Sequence, residues 1–527
     1  MTKITVDTVT ANNHGTKQNP YVIANTTDWA NFVTYVMSDT NVWGSGKFFA
    51  LAGDLNFSTA TFRALGYFSG TFYGLGHIIS NITTNFSNVG VTANSATGTW
   101  GYGLFCRTYN ATITDLVVKD FTYQNFTQGY KTHNERGSAV GGVVGYASGN
   151  DYVLNCHTNG TVKSTNTYTC HVPVGGIVGS THNGQQYNAS KATTTTSSYV
   201  YRCSSELSVS ILCDNENHVV IPAGIVGENY DCRNTAYIYD CAANVKVTDA
   251  TGSWGAYASV GLAITGRGAG VVIDGLVGRM EFTLPKSTTP TYSGAITGVF
   301  GGATKAAITI KNAYAEGVVK SGSTTKYMGG ACGDVAVANL TRTLSQVYHT
   351  NGGSDSNYAS YHATCVNQTS ESAKLTSLST LLTQARNAVG TGSTKLNEKI
   401  WNSSRIGTTS LNYKPENSPV RNYLMIVPQK IEWEYTGNDL KSKISEESWY
   451  ADSVHGDDKI ITVVAPTMIN AGTYTVGLTK KKSDYLWSDG STDTTKTISV
   501  TVKKKKLNFD WDSTSGVTEA KIKSGTE

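Results

Sequence analysis

The chain has 527 residues, more than one ordinary globular core holds, and only 15% are charged, with 42 Lys and Arg against 38 Asp and Glu for a net charge of +4. So even a balance argues against nucleic acid, whose binders concentrate Lys and Arg in patches, and no run approaches the roughly 20 apolar residues that span a bilayer. The basic runs Lys480–Lys482 and Lys503–Lys506 read as solvated turns.

Residues 1–14 carry no periodic signal, and no charged segment followed by an apolar one stands near Met1, so no signal peptide is expected within this chain. The first element is a short helix from Asp28 to Met37, which puts Trp29, Phe32, Val33 and Val36 on one face. Such a helix suits the open end of a repeat structure, whose first strands would otherwise be left with bare edges.

A repeat does follow. Gly141-Gly142-Val143-Val144-Gly145 returns as Gly175-Gly176-Ile177-Val178-Gly179 and Ala223-Gly224-Ile225-Val226-Gly227. Looser copies start at Gly101, Gly261, Gly294 and Gly329, with spacings of 32 to 48 residues between the aligned positions 103, 142, 176, 224, 263, 295 and 330. A fixed unit with variable insertions is the mark of a solenoid. Between these hubs lies a second motif, with Cys156, Cys203, Cys241 and then Ala313 at its centre, flanked by residues that alternate apolar and polar. A period of two predicts short β-strands, and the glycines supply positive φ or close backbone approach at the corners. One such unit has two bare edges and one apolar face, so units must stack. The product is a right-handed parallel β-helix with the hub runs in one ladder. The shared cysteine position predicts small, apolar, buried and reduced thiols. The alternative pairs near neighbours: Cys156 with Cys170, Cys203 with Cys213, Cys232 with Cys241.

The Gly-Gly-Ile-Val-Gly hub followed by an Asn-Cys or Asp-Cys strand resembles the GLUG motif of large bacterial surface and secreted proteins. The segments Asn19–Ile23, Phe48–Leu55 and Phe68–Asn81 are similar to the lead-in coils that precede such repeats. The resemblance covers roughly residues 15 to 425 and implies a fold and a place outside the cell, with the chain as a piece of a longer secreted protein. It is silent on chemistry.

Two insertions interrupt the coil, at 121–136 and 181–199, and solenoids usually bind through such loops. Phe121 to Tyr130 reads as an aromatic-rich loop. Tyr123, Phe126, Tyr130 and Tyr187 are therefore the candidate ligand-binding residues. From Ala373 the spacing of Leu375, Leu378, Leu381 and Leu382 turns helical and predicts a C-terminal cap ending near Leu424. Ile431 to Val502 then alternates strongly and predicts a small Ig-like β-sandwich with Tyr474 and Trp487 in or beside its core. That stretch is similar to bacterial Ig-like repeats of the MBG type. The expected domains are 1–425 (β-helix with caps), 426–504 (Ig-like) and 505–527 (the start of a further repeat, or a linker).

The search for chemistry returns little. A glycosidase needs two carboxylates about 5 to 9.5 Å apart; Asp115, Asp120, Asp151, Asp231, Asp240 and Asp274 are available, but Asp240 takes the position of Asn155 and Asn312, which suggests turn stabilisation. There is no His-Glu-x-x-His, and the neighbours Cys156-His157 and Cys170-His171 point to opposite faces of a strand, so no metal is expected. No cofactor is expected either. The sequence thus predicts a non-catalytic extracellular surface protein: an adhesin or display module binding glycan or protein, with no nucleic-acid partner and no membrane span. The alternatives are a carbohydrate-active enzyme on a β-helix scaffold and a structural surface-layer or filament subunit.

Overall fold

The structure is a computed structural model. It describes residues 15, 20–38, 42–85, 100–124, 138–167, 171–181, 195–213, 219–229, 234–248, 256–257, 259–266, 270–284, 292–293, 296–299, 307–321, 327–328, 332–333, 341–349, 365–367, 423–425, 431–442, 461–480, 485–487 and 493–504. By contacts the chain divides into two units, one chiefly Val22–Pro419 and the other chiefly Val420–Glu527.

The larger unit is a parallel β-solenoid. Its hub strands stack as an eight-stranded parallel sheet among the described residues: Leu65–Phe68, Phe105–Thr108, Val144–Ala147, Val178–Thr181, Val226–Asn229, Ile264–Gly266, Thr297–Val299 and Cys332–Gly333. A second stack holds the strands that enter the hub, among them Ser138–Gly141, His171–Gly175 and Val219–Ala223. A third, longer sheet carries the cysteine motif, in Tyr152–Leu154, Thr196–Tyr201, Asn234–Val247, Gly270–Leu284 and Ala307–Ser321 among others. The hub corners form one ladder as expected: the Val143 amide donates to Ile177 O at 3.0 Å and the Ile177 amide to Ile225 O at 3.0 Å. All three side chains are fully buried.

Two kinds of corner divide the backbone work. The hub glycines are required by close approach: a Cβ on Gly175 would overlap Val178 O and lie 2.6 Å from Gly227 N. Positive φ is found elsewhere, at Asp115, Asn155, Arg202, Asp240, Gly275, Asn312 and Gln346, with non-glycine values of 50 to 57°. These residues follow Thr114, Leu154, Tyr201, Tyr239, Asp274, Lys311 and Ser345, which pair in register. They are one ladder of left-handed corners, and Asp and Asn dominate it because their short polar side chains tolerate that region. The side chains bond along the ladder: Asn155 Nδ2 donates to Asp115 Oδ1 at 2.6 Å. The turn role expected for Asp240 is the one this register gives it.

One residue past this corner runs the cysteine column. Cys156, Cys203 and Cys241 are unpaired and fully buried, as is Cys106 in the hub stack. Each thiol of the column donates to carbonyls: Cys203 Sγ to Tyr201 O at 3.2 Å and Val153 O at 3.4 Å, Cys241 Sγ to Tyr239 O at 3.3 Å. The three are free in this structure, not paired with Cys170, Cys213 or Cys232.

The helix spans Thr26–Ser38 and buries Trp29, Phe32, Val33 and Val36. Asn25 Oδ1 accepts from the Asp28 amide at 2.9 Å, an N-cap. The buried face meets the rings of the first coils, with Trp29 centred 6.2 Å from Phe72 and 6.3 Å from Phe105 and Phe32 4.7 Å from Phe49. It covers apolar interior that the first coils leave open.

One expectation changes. Phe121–Gln124 is no loop but the end of the strand Val117–Gln124, with Phe121 and Tyr123 turned inward. Asp120, with φ of 54°, forms the bulge that re-aims them. In the smaller unit, the described residues hold one mixed four-stranded sheet in the order Ile431–Glu434, Thr495–Lys503, Gly472–Lys480, Ile461–Val464. The first pairing is parallel and the other two antiparallel. Its core is Leu440, Met468, Val476, Leu478, Ile498, Val500 and Val502, with Trp433 and Tyr474 packed against it. The backbone of Tyr485–Trp487 pairs in a two-stranded parallel sheet with Tyr423–Met425, and the Trp487 side chain lies outside the described residues. The helical cap expected from Ala373 to near Leu424 lies outside the described residues up to 422, and Tyr423–Met425 at its expected end is a strand.

Candidate functional site: two tyrosine columns

On the long sheet, the residues just before the left-handed corner alternate strictly. Val153, Val200, Ile238 and Ile273 turn inward and are 2% exposed or less. Their neighbours on either side therefore turn outward. Register stacks these neighbours into two columns: Thr112, Tyr152, Tyr199, Tyr237 and Val272 in one, Thr114, Leu154, Tyr201, Tyr239 and Asp274 in the other.

The rings stack along each column. Tyr152–Tyr199 centroids are 4.5 Å apart at 9°, Tyr199–Tyr237 5.0 Å at 11°, and Tyr201–Tyr239 4.8 Å at 10°. Across the columns the rings meet edge to face, Tyr199–Tyr201 at 74° and Tyr237–Tyr239 at 72°. Ring surfaces touch at about 3.5 Å, so centroids 4.5 to 5.0 Å apart mean that each ring has slid past its neighbour and leaves part of one face uncovered. The ends of the longer column go further. Tyr152 faces Thr112 and Tyr237 faces Val272, neither of which is a ring. Tyr152 is accordingly 38% exposed.

Burial and then neighbouring phenols push Tyr201 well above the ordinary phenol value, and burial, Tyr237 and Asp274 push Tyr239 up to about 12. Both hydroxyls stay protonated at neutral pH and can donate. In the second column Asp274 follows Tyr239 and is itself followed by Lys311. Burial raises its carboxyl above the ordinary range, opposed by the Asn312 amide, which donates to Oδ1 at 2.7 Å, and by Lys311. Arg202 is exposed at the corner beside Tyr201.

These columns also hold the sheet together, since aromatic cross-strand pairs contribute roughly 0.5–1.5 kcal/mol each beyond burial. That role accounts for the stacking. It does not by itself account for the 38% exposure of Tyr152.

The sequence-predicted residues are placed elsewhere. Tyr123 is fully buried and its hydroxyl donates to Gly142 O at 3.2 Å, so it offers no ligand a face. The bulge at Asp120 turned it inward. Phe126, Tyr130 and Tyr187 lie outside the described residues. Sequence reasoning sought aromatics in the insertions and missed the five in the coil. The signal was present: counted back from Cys203 and Cys241, tyrosines stand at the same two positions, Tyr201 with Tyr199 and Tyr239 with Tyr237.

One cluster has the elements of nucleophilic chemistry. His157 Nδ1 lies 2.7 Å from Ser204 Oγ and Nε2 lies 3.3 Å from Asn155 Oδ1. Ser204 is 0% exposed, however, so no substrate carbonyl can reach its oxygen. Asp151 is also enclosed, accepting from the Ala111 amide at 2.9 Å and the Gly149 amide at 2.8 Å. Among the described residues no group of three or more His, Cys, Asp or Glu is placed to hold a metal, and no helix is long and apolar enough to cross a membrane.

Neither a family model nor a curated protein matches the chain. Among solved structures it is similar to one from Bacteroides ovatus, determined at 1.30 Å and named a "putative immunoglobulin A1 protease", with 17% identity over 63% of this chain and 85% of that one and a TM-score of 0.39. That name runs against the expectation of a chain without hydrolytic activity, which is withdrawn on this finding.

Proposed function

We propose that the chain is an extracellular surface protein of the adhesin or display class, in which the solenoid bears the ligand-binding surface. The observation that carries this reading is the pair of outward tyrosine columns, partly exposed aromatic surface repeated over successive coils. Proteins seldom leave a contiguous amphipathic strip uncovered unless something binds there. Tyrosine suits such a strip because it joins a large rigid apolar surface to a hydroxyl. In this reading the smaller unit is an Ig-like stalk module and the repeats are of the GLUG kind. A right-handed coil is the hand that parallel crossovers favour.

The test uses the full chain in two arms. Protease treatment of intact source cells should release solenoid peptides, and the labelled protein should bind cell or matrix surfaces saturably. Peptides released only after lysis, together with unsaturable binding, would sink the proposal.

A further inference from the structure

The tyrosine columns point to a ligand class. We propose that they bind a neutral polysaccharide chain laid along the solenoid axis, over Tyr152, Tyr199 and Tyr237, with the hydroxyls of Tyr201 and Tyr239 bonding to its hydroxyl groups. This rests on the reading of the solenoid as the ligand-bearing part.

Three features select that ligand. The first is direction: the columns run from coil to coil with near-equal steps of 4.5 and 5.0 Å, so a polymer along the axis meets the same surface at each step. The second is chemistry. A pyranose ring has an apolar C–H face and a rim of hydroxyls, which complements a partly uncovered aromatic face beside a phenol that can both donate and accept. At the ends of the longer column Tyr152 neighbours Thr112 and Tyr237 neighbours Val272 rather than a further ring, and Tyr152 is the most exposed tyrosine of the two columns, at 38%.

The third feature is charge. The rungs from Thr112 and Thr114 to Tyr237 and Tyr239 hold no Lys, Arg, Asp or Glu. The next rung, Asp274, is followed in register by Lys311, so the two charges offset, and Arg202 stands off the columns in the corner ladder between Asn155 and Asp240. A protein partner fits less well, since stable protein interfaces cover about 800 Å² per side, and a strip two residues wide supplies little of that.

Affinity electrophoresis of the full chain decides the matter, in native gels containing hydroxyethylcellulose, galactomannan or, as the acidic case, polygalacturonate. Retardation is expected in at least one neutral gel and not in the acidic one. Tyr152→Ala should weaken it about tenfold, as loss of an aromatic anchor does. Tyr201→Phe, which keeps the ring and removes one hydroxyl, should weaken it about threefold. Circular dichroism checks that each variant is folded, and Tyr152→Leu, which keeps an apolar side chain but no ring, replaces Tyr152→Ala if the latter is not. No retardation in any neutral gel, retardation by the acidic polymer alone, or equal retardation of wild type and Tyr152→Ala would overturn the inference. So would concentration-dependent self-association that the same substitution abolishes, which assigns the strip to a second copy. A chain that binds cells saturably yet passes neutral gels unretarded defeats this inference and leaves the proposed function standing.

Discussion

At Arg202 a long side chain sits at φ of 55°, where neighbouring coils have Asn155 and Asp240. A non-glycine residue in that region costs roughly 1–2 kcal/mol, while glycine costs about 0.4–1 kcal/mol through the unfolded chain. Strain outweighs the entropy that glycine adds to the unfolded chain, so Arg202→Gly is expected to raise the solenoid's unfolding midpoint slightly and Arg202→Val to lower it clearly, β-branching being worst at positive φ. Urea titration of both variants checks the opposed signs; equal effects would mean the corner is not strained. The thiols give a second prediction at this scale. Burial pushes Cys106 up to about 12 and Cys203 well above 9.0. A folded value above the unfolded one means stability complete below pH 9 and lost as pH rises toward the folded value. Cys106, Cys156, Cys203 and Cys241 are all fully buried, so native protein at pH 8 should leave them unalkylated by iodoacetamide, and the raised Cys106 and Cys203 should make its urea midpoint fall between pH 9 and 11. Mass spectrometry showing rapid alkylation of the column would contradict the burial on which both statements rest.

Among elements, the hub strand is the least forgiving. In Gly175→Ala the new methyl overlaps Val178 O and crowds Gly227 N, both backbone atoms that cannot turn away. A loss of about 3–5 kcal/mol is expected, at the upper end for one substitution. Gly46→Ala is the control. Its Cβ meets nothing within 4 Å, although its φ of 69° still costs something. Limited proteolysis should find new cleavage near the hub in the first variant and not in the second. The same strands explain what the sequence could reveal. Val143, Ile177 and Ile225 were legible as a ladder because the motif around them repeats almost letter for letter. The helix was legible because one apolar face at helical spacing is a local signal. The tyrosine columns were harder to see, since which outward residue stacks on which is set by pairing across coils of unequal length. Tyr152 and Tyr199 become neighbours only once the 182–194 segment is set aside. Tyr123 was misplaced for the opposite reason: one bulge residue, Asp120, reverses the inward and outward phase of everything after it.

For the whole molecule, the two units have separate cores. The solenoid's runs from Trp29 and Phe49 through Val143, Ile177 and Ile225 to Ile310 and Ala313. The smaller unit is organised around Met468, Val476, Leu478, Ile498 and Val500, with Asp439 Oδ1 accepting from the Met468 amide at 2.8 Å to fix the loop over it. Solenoid stability is a sum over neighbouring coils, whereas a small sheet packed on one cluster unfolds as a unit. The two should therefore differ in how they respond to a core change. Met468→Ala leaves a cavity in the smaller unit and should cost about 2–5 kcal/mol there, lowering one calorimetric transition and leaving the solenoid's transition where it was. Gly175→Ala should do the reverse. Differential scanning calorimetry of the full chain and both variants reads this directly. If either substitution shifts every transition together, the cores are energetically one and the proposed division of labour between a ligand-bearing solenoid and a stalk loses its physical basis.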